Sequence, residues 1–229
     1  MVKPIYEPKG KAKEYGDYAI NIYTGCPHRC FYCFAPNVLR KDREKFHTEV
    51  KPREGIVEAT RRQIEKEGIT GKLIHLCFTC DPYPTGYDSM ATREIIRILK
   101  ETGNHVQILT KGDGGRDLDL LGGEDWYGIT IDGSEKSMEL CRRTTTLQQA
   151  KYLGIKTWVS FEPVLYEEAV ITSIAECERV GIDKIKIGKL NYYPSEINWK
   201  EFGQKAEQLC QMCGIDYYIK DGLRKEMED

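Results

Sequence analysis

Apolar segments of strand length alternate with amphipathic segments of helix length along almost the whole chain, and few folds accommodate that alternation. A short strand over 18–23 is ended by Thr24-Gly25. From residue 54 the rhythm becomes regular. Residues 54–67 read as a polar helix carrying Ile56, Val57 and Ile64, 72–79 as an apolar strand, and 89–102 as a helix with Ile95, Ile98 and Leu99 at i, i+3, i+4. Strands follow over 105–110, 127–131, 156–161, 184–187 and 216–219, separated by a short helix at 116–121 and longer ones at 135–153, 167–180 and 199–213. Such βαβ units build a parallel sheet, and right-handed crossovers roll it toward a barrel. A complete eight-fold β/α barrel needs about 250 residues. At 229 residues the expectation is an α/β fold, a partial (β/α)6-type TIM barrel of parallel strands with outer helices. A doubly wound open sheet is the rival, weakened because no G-x-G-x-x-G follows the first strand. Residues 1–16 read as an extended N-terminal arm and 17–229 as a single domain. The charged run at 36–53 reads as a solvated loop or helix face.

The first strand runs directly into Gly25-Cys26-Pro27-His28-Arg29-Cys30-Phe31-Tyr32-Cys33, a C-x3-C-x2-C spacing. A loop of that spacing can wrap three thiolates around one corner of an iron–sulfide cluster. A structural zinc site wants a fourth protein ligand. No further cysteine occurs until Cys77, and only His28 and His47 are near. Three ligands with one position open is the pattern of a metal centre that must also bind something else. The plain alternatives are ordinary loop cysteines, a structural zinc site, and a non-catalytic iron–sulfur module that moves electrons or senses redox state.

Parallel α/β folds place their chemistry at the C-terminal strand ends, and here those ends are polar. After the cysteines come Thr79-Cys80-Asp81, then Thr110-Lys111, Thr130 with Asp132, Ser160 with Glu162, Lys189 with Asn191, and Lys220. A lone polar residue at a strand end is usually just solvated; so many on one rim point to a site. Period-two alternation puts Trp158, Ser160 and Glu162 on one strand face. The other cysteines read differently. Cys210-x2-Cys213 lies on a helix whose Trp199, Phe202, Ala206, Leu209 and Cys213 share a stripe, which favours core packing over a second metal site. Cys141 and Cys177 read as helix-face cysteines, and His75 and His105 as strand histidines. Nine cysteines without a signal-peptide core imply a reducing cytoplasm and thiol chemistry. No apolar run approaches the roughly 20 residues that span a membrane. With a net charge of −2 there is no global electrostatic case for nucleic acid, although a local basic groove stays compatible with it.

The cysteine spacing, with the aromatic Tyr32 just before the last cysteine, resembles the signature of the radical S-adenosylmethionine (radical SAM) superfamily. Lys11-Ala12-Lys13-Glu14-Tyr15, Asn21-Ile22-Tyr23-Thr24-Gly25-Cys26, Thr79-Cys80-Asp81-Pro82-Tyr83, Leu109-Thr110-Lys111 and Tyr218-Ile219-Lys220 resemble its spore photoproduct lyase-like branch. The resemblance implies a [4Fe-4S] cluster held by Cys26, Cys30 and Cys33, with SAM on the open iron, cleaved reductively to methionine and a 5′-deoxyadenosyl radical that abstracts hydrogen from a substrate. By the same resemblance Thr79, Cys80 and Asp81 meet the SAM amino group, Lys111 its carboxylate, Tyr32 its adenine, and Thr130 is the small hydroxyl residue of the next strand. Ser160 and Glu162 are assigned to SAM or substrate, with Trp158 packing beside the cofactor, and Cys80 is a candidate hydrogen-atom donor. A flavodoxin- or ferredoxin-type electron donor is implied by the superfamily. The expected substrate, which no residue identifies, is a nucleic acid, nucleotide or peptide. Dimer repair of the spore photoproduct lyase kind is disfavoured, because Phe78 stands where that enzyme's hydrogen-donating cysteine precedes its Thr-Ser-Asp segment.

Overall fold

The computed structural model describes residues 3–228. In chain order its elements are β1 (Ile5–Tyr6), β2 (Tyr18–Ile20), α1 (Ala35–Val38), α2 (Arg43–Thr48), α3 (Ile56–Glu67), β3 (Leu73–Leu76), α4 (Met90–Glu101) and β4 (His105–Thr110). These are followed by β5 (Trp126–Thr130), α5 (Ser137–Tyr152), β6 (Lys156–Phe161), α6 (Glu167–Val180), β7 (Lys184–Ile187), α7 (Trp199–Cys213), β8 (Asp216–Ile219) and α8 (Asp221–Glu228). The eight strands follow sequence order in one sheet. β1 runs antiparallel to β2, whereas β2–β3–β4 and β6–β7–β8 pair in parallel. The chain divides into two compact units, one ending at Trp126 and the other beginning at Tyr127.

In the first unit, β3 and β4 bury Ile74, Leu76, Val106 and Ile108. α4 covers them with Thr92, Ile95, Ile96, Ile98 and Leu99, the apolar face that its spacing dictates. α3 contributes Ile56, Thr60, Gln63 and Ile64 and stops at Gly68, whose left-handed φ of +63° suits a residue without Cβ. The Gln63 amide accepts from Ile5 N and donates to Ile5 O, both at 2.8 Å, so a side chain satisfies the outer backbone edge of β1. Asp125, fully buried, accepts from Val106 N and Gly122 N at 2.8 Å and pairs with Lys100 at 2.5 Å, which fixes the approach to β5.

In the second unit, β6 and β7 bury Trp158, Val159, Phe161, Ile185 and Ile187. α6 adds Val170, Ile174 and Cys177, and α7 adds Phe202, Gly203, Ala206 and Cys210. Asn198 caps α7 by accepting from Glu201 N at 3.2 Å, and Gly214 ends it. The Trp158 ring lies flat over β5: a Cβ on Gly128 would come within 2.2 Å of its Nε1.

Several details depart from the sequence reading. The opening segment is not uniformly extended, since Ile5 is buried in a sheet strand and Gly10–Glu14 forms a 3-10 turn. Of the two readings of residues 36–53, solvated loop or helix face, α1 and α2 take the helical one, with Asp42 capping α2 through Lys45 N and with Phe46 and His47 buried. The second apolar strand stops at Leu76, three residues early, because the backbone N–H groups of Phe78 and Thr79 leave the ladder for the side chain of Asn21. On α7 the buried stripe runs through Cys210, and Cys213 is only partly covered. α8 was not foreseen, for its eight residues are mostly charged and bury only Leu223.

Replacing Gly128 by Ala should force Trp158 out of place and destabilise the protein by about 1–3 kcal/mol in denaturant unfolding. Gly122→Ala, where the nearest atom to the new methyl lies 4.0 Å away, should stay within about 0.5 kcal/mol of the native protein.

Candidate functional site

The cysteine loop starts where β2 has ended. Gly25 is required there: a Cβ would lie 2.3 Å from the carbonyl oxygen of Phe46. That contact lets the loop lie directly against α2. Cys26 N donates to Phe46 O at 3.1 Å, and the Nδ1 of buried His47 lies 2.7 Å from Cys26 O. Arg43, also on α2, donates to the carbonyls of Cys30 and Phe31 at 2.6 Å and of Cys33 at 3.2 Å. One guanidinium thus gathers three carbonyls of the loop. Arg29 takes the left-handed turn, with φ +52°, and pairs outward with Glu44. Among the described residues no three His, Cys, Asp or Glu side chains converge on one metal-holding point. All three thiols are nevertheless free and partly exposed, and they are close enough for Cys30 to act electrostatically on both Cys26 and Cys33. Burial pushes the Cys26 thiol well above its ordinary range, and Asp81 adds to the effect; burial also raises Cys33. Neutral thiols, weak as donors and acceptors, gain nothing by converging. Three soft sulfur donors on one braced loop form a donor set that fits an iron–sulfur cluster.

Asp81, just beyond β3, is the junction of this unit. Its Oδ1 accepts from Tyr83 N at 2.8 Å and from the Thr110 hydroxyl at 2.5 Å, and its Oδ2 accepts from Lys111 N at 2.8 Å. His28, midway along the cysteine loop, brings Nε2 to 3.2 Å from Oδ2, close enough for an ion pair but misaligned for a hydrogen bond. Burial alone would raise this carboxyl. The His28 ring and the hydrogen bonds outweigh it and hold Asp81 below the usual carboxylate range. Both oxygens are therefore already engaged by the chain, which leaves the segment's ligand-facing capacity to its neighbours.

Those neighbours are thiol and hydroxyl. Cys80 Sγ accepts from Tyr23 N at 3.3 Å and contacts the Cys77 thiol. Burial drives Cys77 up, while Cys80 is held down against the same burial by the bonds it receives. Thr79 is buried, with Arg53 at 3.5 Å from its hydroxyl. The Lys111 ammonium lies 5.4 Å from the centroid of the Tyr32 ring, so two residues assigned to opposite ends of one ligand meet here. Phe78 stacks on His75 at 4.3 Å.

In the second unit, Thr130 is buried and its carbonyl accepts from Arg143 at 2.6 Å; Arg143 in turn lies 3.4 Å from Glu135. Ser160 is fully buried, and its carbonyl takes Ile131 N at 3.0 Å. Glu162 pairs with Lys220 at 2.7 Å, and Lys189 pairs with Glu226 of α8. Lys186 places its ammonium 5.3 Å from the Trp158 ring. Trp158 itself is core, packed on Gly128. Sequence reasoning gave no role to Asn21, His28, Arg43 or His47. Each acts through backbone groups or through a partner distant in the chain, which spacing does not reveal. His28 and His47 carried a signal as the histidines near the cysteines, and Asn21 as the head of the segment that leads into them.

Comparison with known proteins bears on the fold and the family. An uncharacterised protein of Mycobacterium tuberculosis, Rv2578c, is 32% identical over 100 residues, and Mb2609c of Mycobacterium bovis matches equally; the match spans 42% of this chain and only 29% of either relative. Streptococcus suis SuiB, in its crystal structure with the precursor peptide SuiA, superposes with a TM-score of 0.64 at 12% identity, over 92% of this chain and 50% of SuiB. The S-adenosylmethionine-bound SuiB structure gives 0.60 at 11% identity, over 88% and 46%. The α/β fold is thus the partial TIM barrel expected from the alternation of strands and helices. The family model of the radical SAM superfamily matches residues 20–188, from the end of β2 to just past β7, with the three cysteines inside it, and the chain belongs to that superfamily.

Proposed function

We propose that the chain is a radical SAM enzyme whose Cys26, Cys30 and Cys33 hold a [4Fe-4S] cluster. The observation that carries this reading is the bracing of the cysteine loop, whose carbonyls are held by Arg43 and His47 while its three thiols stay out of any disulfide and are partly exposed. When bound, such a cluster supplies one electron for cleavage of SAM to methionine and a 5′-deoxyadenosyl radical. The protein binds and orients. Lys111 offers a cation for the SAM carboxylate and Tyr32 a ring face for the adenine. Thr79 and Cys80 offer a hydroxyl and a thiol beside them, and Thr130, Ser160 and Glu162 remain the assignments on later strands. Asp81 serves best as the brace that holds this segment and the loop in register, and Glu162 acts as a pair with Lys220.

The substrate class we assign is a nucleic acid, nucleotide or peptide. The branch resembling spore photoproduct lyase is part of this proposal for the fold of the site but not for dimer repair: position 78 is a phenylalanine stacked on His75, not a thiol. A flavodoxin- or ferredoxin-type donor would supply the electron. No helix among the described residues is long and apolar enough to cross a membrane.

Anaerobic reconstitution should incorporate iron and sulfide with a broad visible absorption, and Cys30→Ala should abolish it. The reconstituted protein, reduced with dithionite in the presence of SAM, should release 5′-deoxyadenosine; no release refutes the enzymatic claim, and zinc without sulfide would favour a structural site. Because Cys26 and Cys33 titrate above the ordinary thiol range, metal uptake must displace protons. Iron incorporation should therefore strengthen steadily as pH is raised from about 6.5 to 9. Arg43→Ala should weaken cluster retention roughly 10- to 100-fold, measured as iron loss to a chelator, since it frees three loop carbonyls at once.

A further inference from the structure

Two further thiols lie just beyond β3, immediately before Asp81. Cys77 and Cys80 stand in a C-x2-C spacing, and their thiols are hydrogen-bonded to each other. The turn between them is closed from outside. Phe78 N and Thr79 N, the two intervening backbone donors, both donate to Asn21 Oδ1 at 2.8 Å. Asn21 is itself fixed by its amide, which donates to the Tyr6 hydroxyl at 2.8 Å. One side chain thus keeps the two sulfur atoms together.

The pair is unequal. Cys77 is 7% exposed and lies in the core, whereas Cys80 is partly exposed. Cys80 Sγ accepts from Tyr23 N at 3.3 Å as well as from the Cys77 thiol, and the Arg53 guanidinium is near enough to act on it electrostatically. Those groups favour a thiolate on Cys80, while burial keeps Cys77 a neutral thiol. A partly exposed thiolate backed by a buried thiol is what thiol–disulfide exchange uses: one sulfur attacks and the other resolves. Cys210 and Cys213 share the spacing but not the arrangement, because α7 is helical through both and burial pushes the Cys210 thiol up to about 12.

We propose that Cys77 and Cys80 form a dithiol–disulfide couple, open to small-molecule disulfides through Cys80, whose oxidation withdraws Cys80 from the SAM site. The couple itself stands on the contacts just described; its effect on SAM rests on the function proposed above. In the exchange the Cys80 sulfur attacks a small disulfide, breaking its S–S bond and releasing one thiolate, and a mixed disulfide is left on the protein. The Cys77 sulfur then displaces the second half, which leaves as a thiol with the Cys77 proton. Two electrons and one proton have left the protein, and the small disulfide has become one thiol and one thiolate. With the Cys77–Cys80 bond formed, Cys80 has no charge for Tyr23 N and Arg53 to favour, and no thiol beside Thr79.

Oxidised glutathione is the probe, applied anaerobically to the native chain with and without the reconstituted cluster, and followed by alkylation. Cleavage after Lys72 and Arg93 releases residues 73–93, a peptide whose only cysteines are Cys77 and Cys80. In the mass spectrum this peptide should be unalkylated and lighter by two hydrogens than its dithiol form, and dithiothreitol should reverse the change. The internal disulfide should exceed the glutathione adduct about tenfold or more, because Cys77 is held against Cys80. Cys77→Ala should arrest Cys80 as the adduct, and Cys80→Ala should leave Cys77 unmodified. In the reconstituted protein, oxidation should weaken SAM binding about 5- to 10-fold in equilibrium dialysis, the loss of one hydrogen bond. The exposed Cys141 reports whether the buffer is oxidising. If Cys141 takes up glutathione while the native 73–93 peptide stays a dithiol, or is linked to the cysteine loop instead, the couple is overturned. A Cys77→Ala chain without adduct on Cys80 overturns Cys80 as the attacking sulfur. An oxidised form that binds SAM as tightly as the dithiol overturns the effect on the SAM site. Native protein that takes up no iron and sulfide marks failure of the underlying function, and the 73–93 peptide of the cluster-free chain then decides the couple alone.

Discussion

A single buried carboxylate ties the first unit together. Asp81 receives the backbone of its own turn, the hydroxyl and backbone N–H that close β4, and the imidazole of the cysteine loop. Burying a carboxylate is expensive unless its oxygens are fully used, and here they are used by three separate stretches of chain. The depressed titration of Asp81 is the sign of that use. Removing the carboxylate would release the end of β3, the start of the segment after β4 and the middle of the loop together. A polar junction of this kind fixes relative position far better than apolar contacts, because hydrogen bonds demand both distance and angle.

The loop itself is held by its backbone rather than by its side chains. Arg43 and His47 grip carbonyls, Phe46 O takes Cys26 N, and Gly25 gives the room for that approach. The grip on the carbonyls is separate from the sulfur atoms, of which Cys26 and Cys33 take the backbone N–H groups of His28 and Ala35. It also explains why α2 exists: its six residues are too few to be stable alone, and they are kept helical by the Asp42 cap and by what they hold.

The fold was legible in the sequence because strand and helix periodicities leave plain marks. Ile95, Ile98 and Leu99 proclaim a buried helix face, and the structure buries all three. α8 and the short helices α1 and α2 left no such mark, being charged or brief. The early end of β3 was equally hidden, since it depends on Asn21 capturing two N–H groups 57 and 58 residues away. At the candidate site, the cysteines stood out because C-x3-C-x2-C fixes residue type and spacing together, as a cluster-binding loop would require. The second-strand segment was visible only as polar residues at a strand end. Whether Asp81 turns to a ligand or to its own chain is decided by Thr110, Lys111 and His28, and no local pattern encodes that choice. Trp158 shows the same limit: alternation placed it on a face with Ser160, but the space above Gly128 makes it core.

The Gln63 side chain completes the hydrogen bonding of Ile5 in the way a neighbouring strand would. A sheet that ended at β1 without it would present an open row of donors and acceptors to any extended peptide, its own copies included. With the amide in place, that row is interrupted at its centre by a group already spoken for. The margin of this sheet is thereby made unattractive to recruitment into fibrils, at the cost of one buried glutamine and no extra strand.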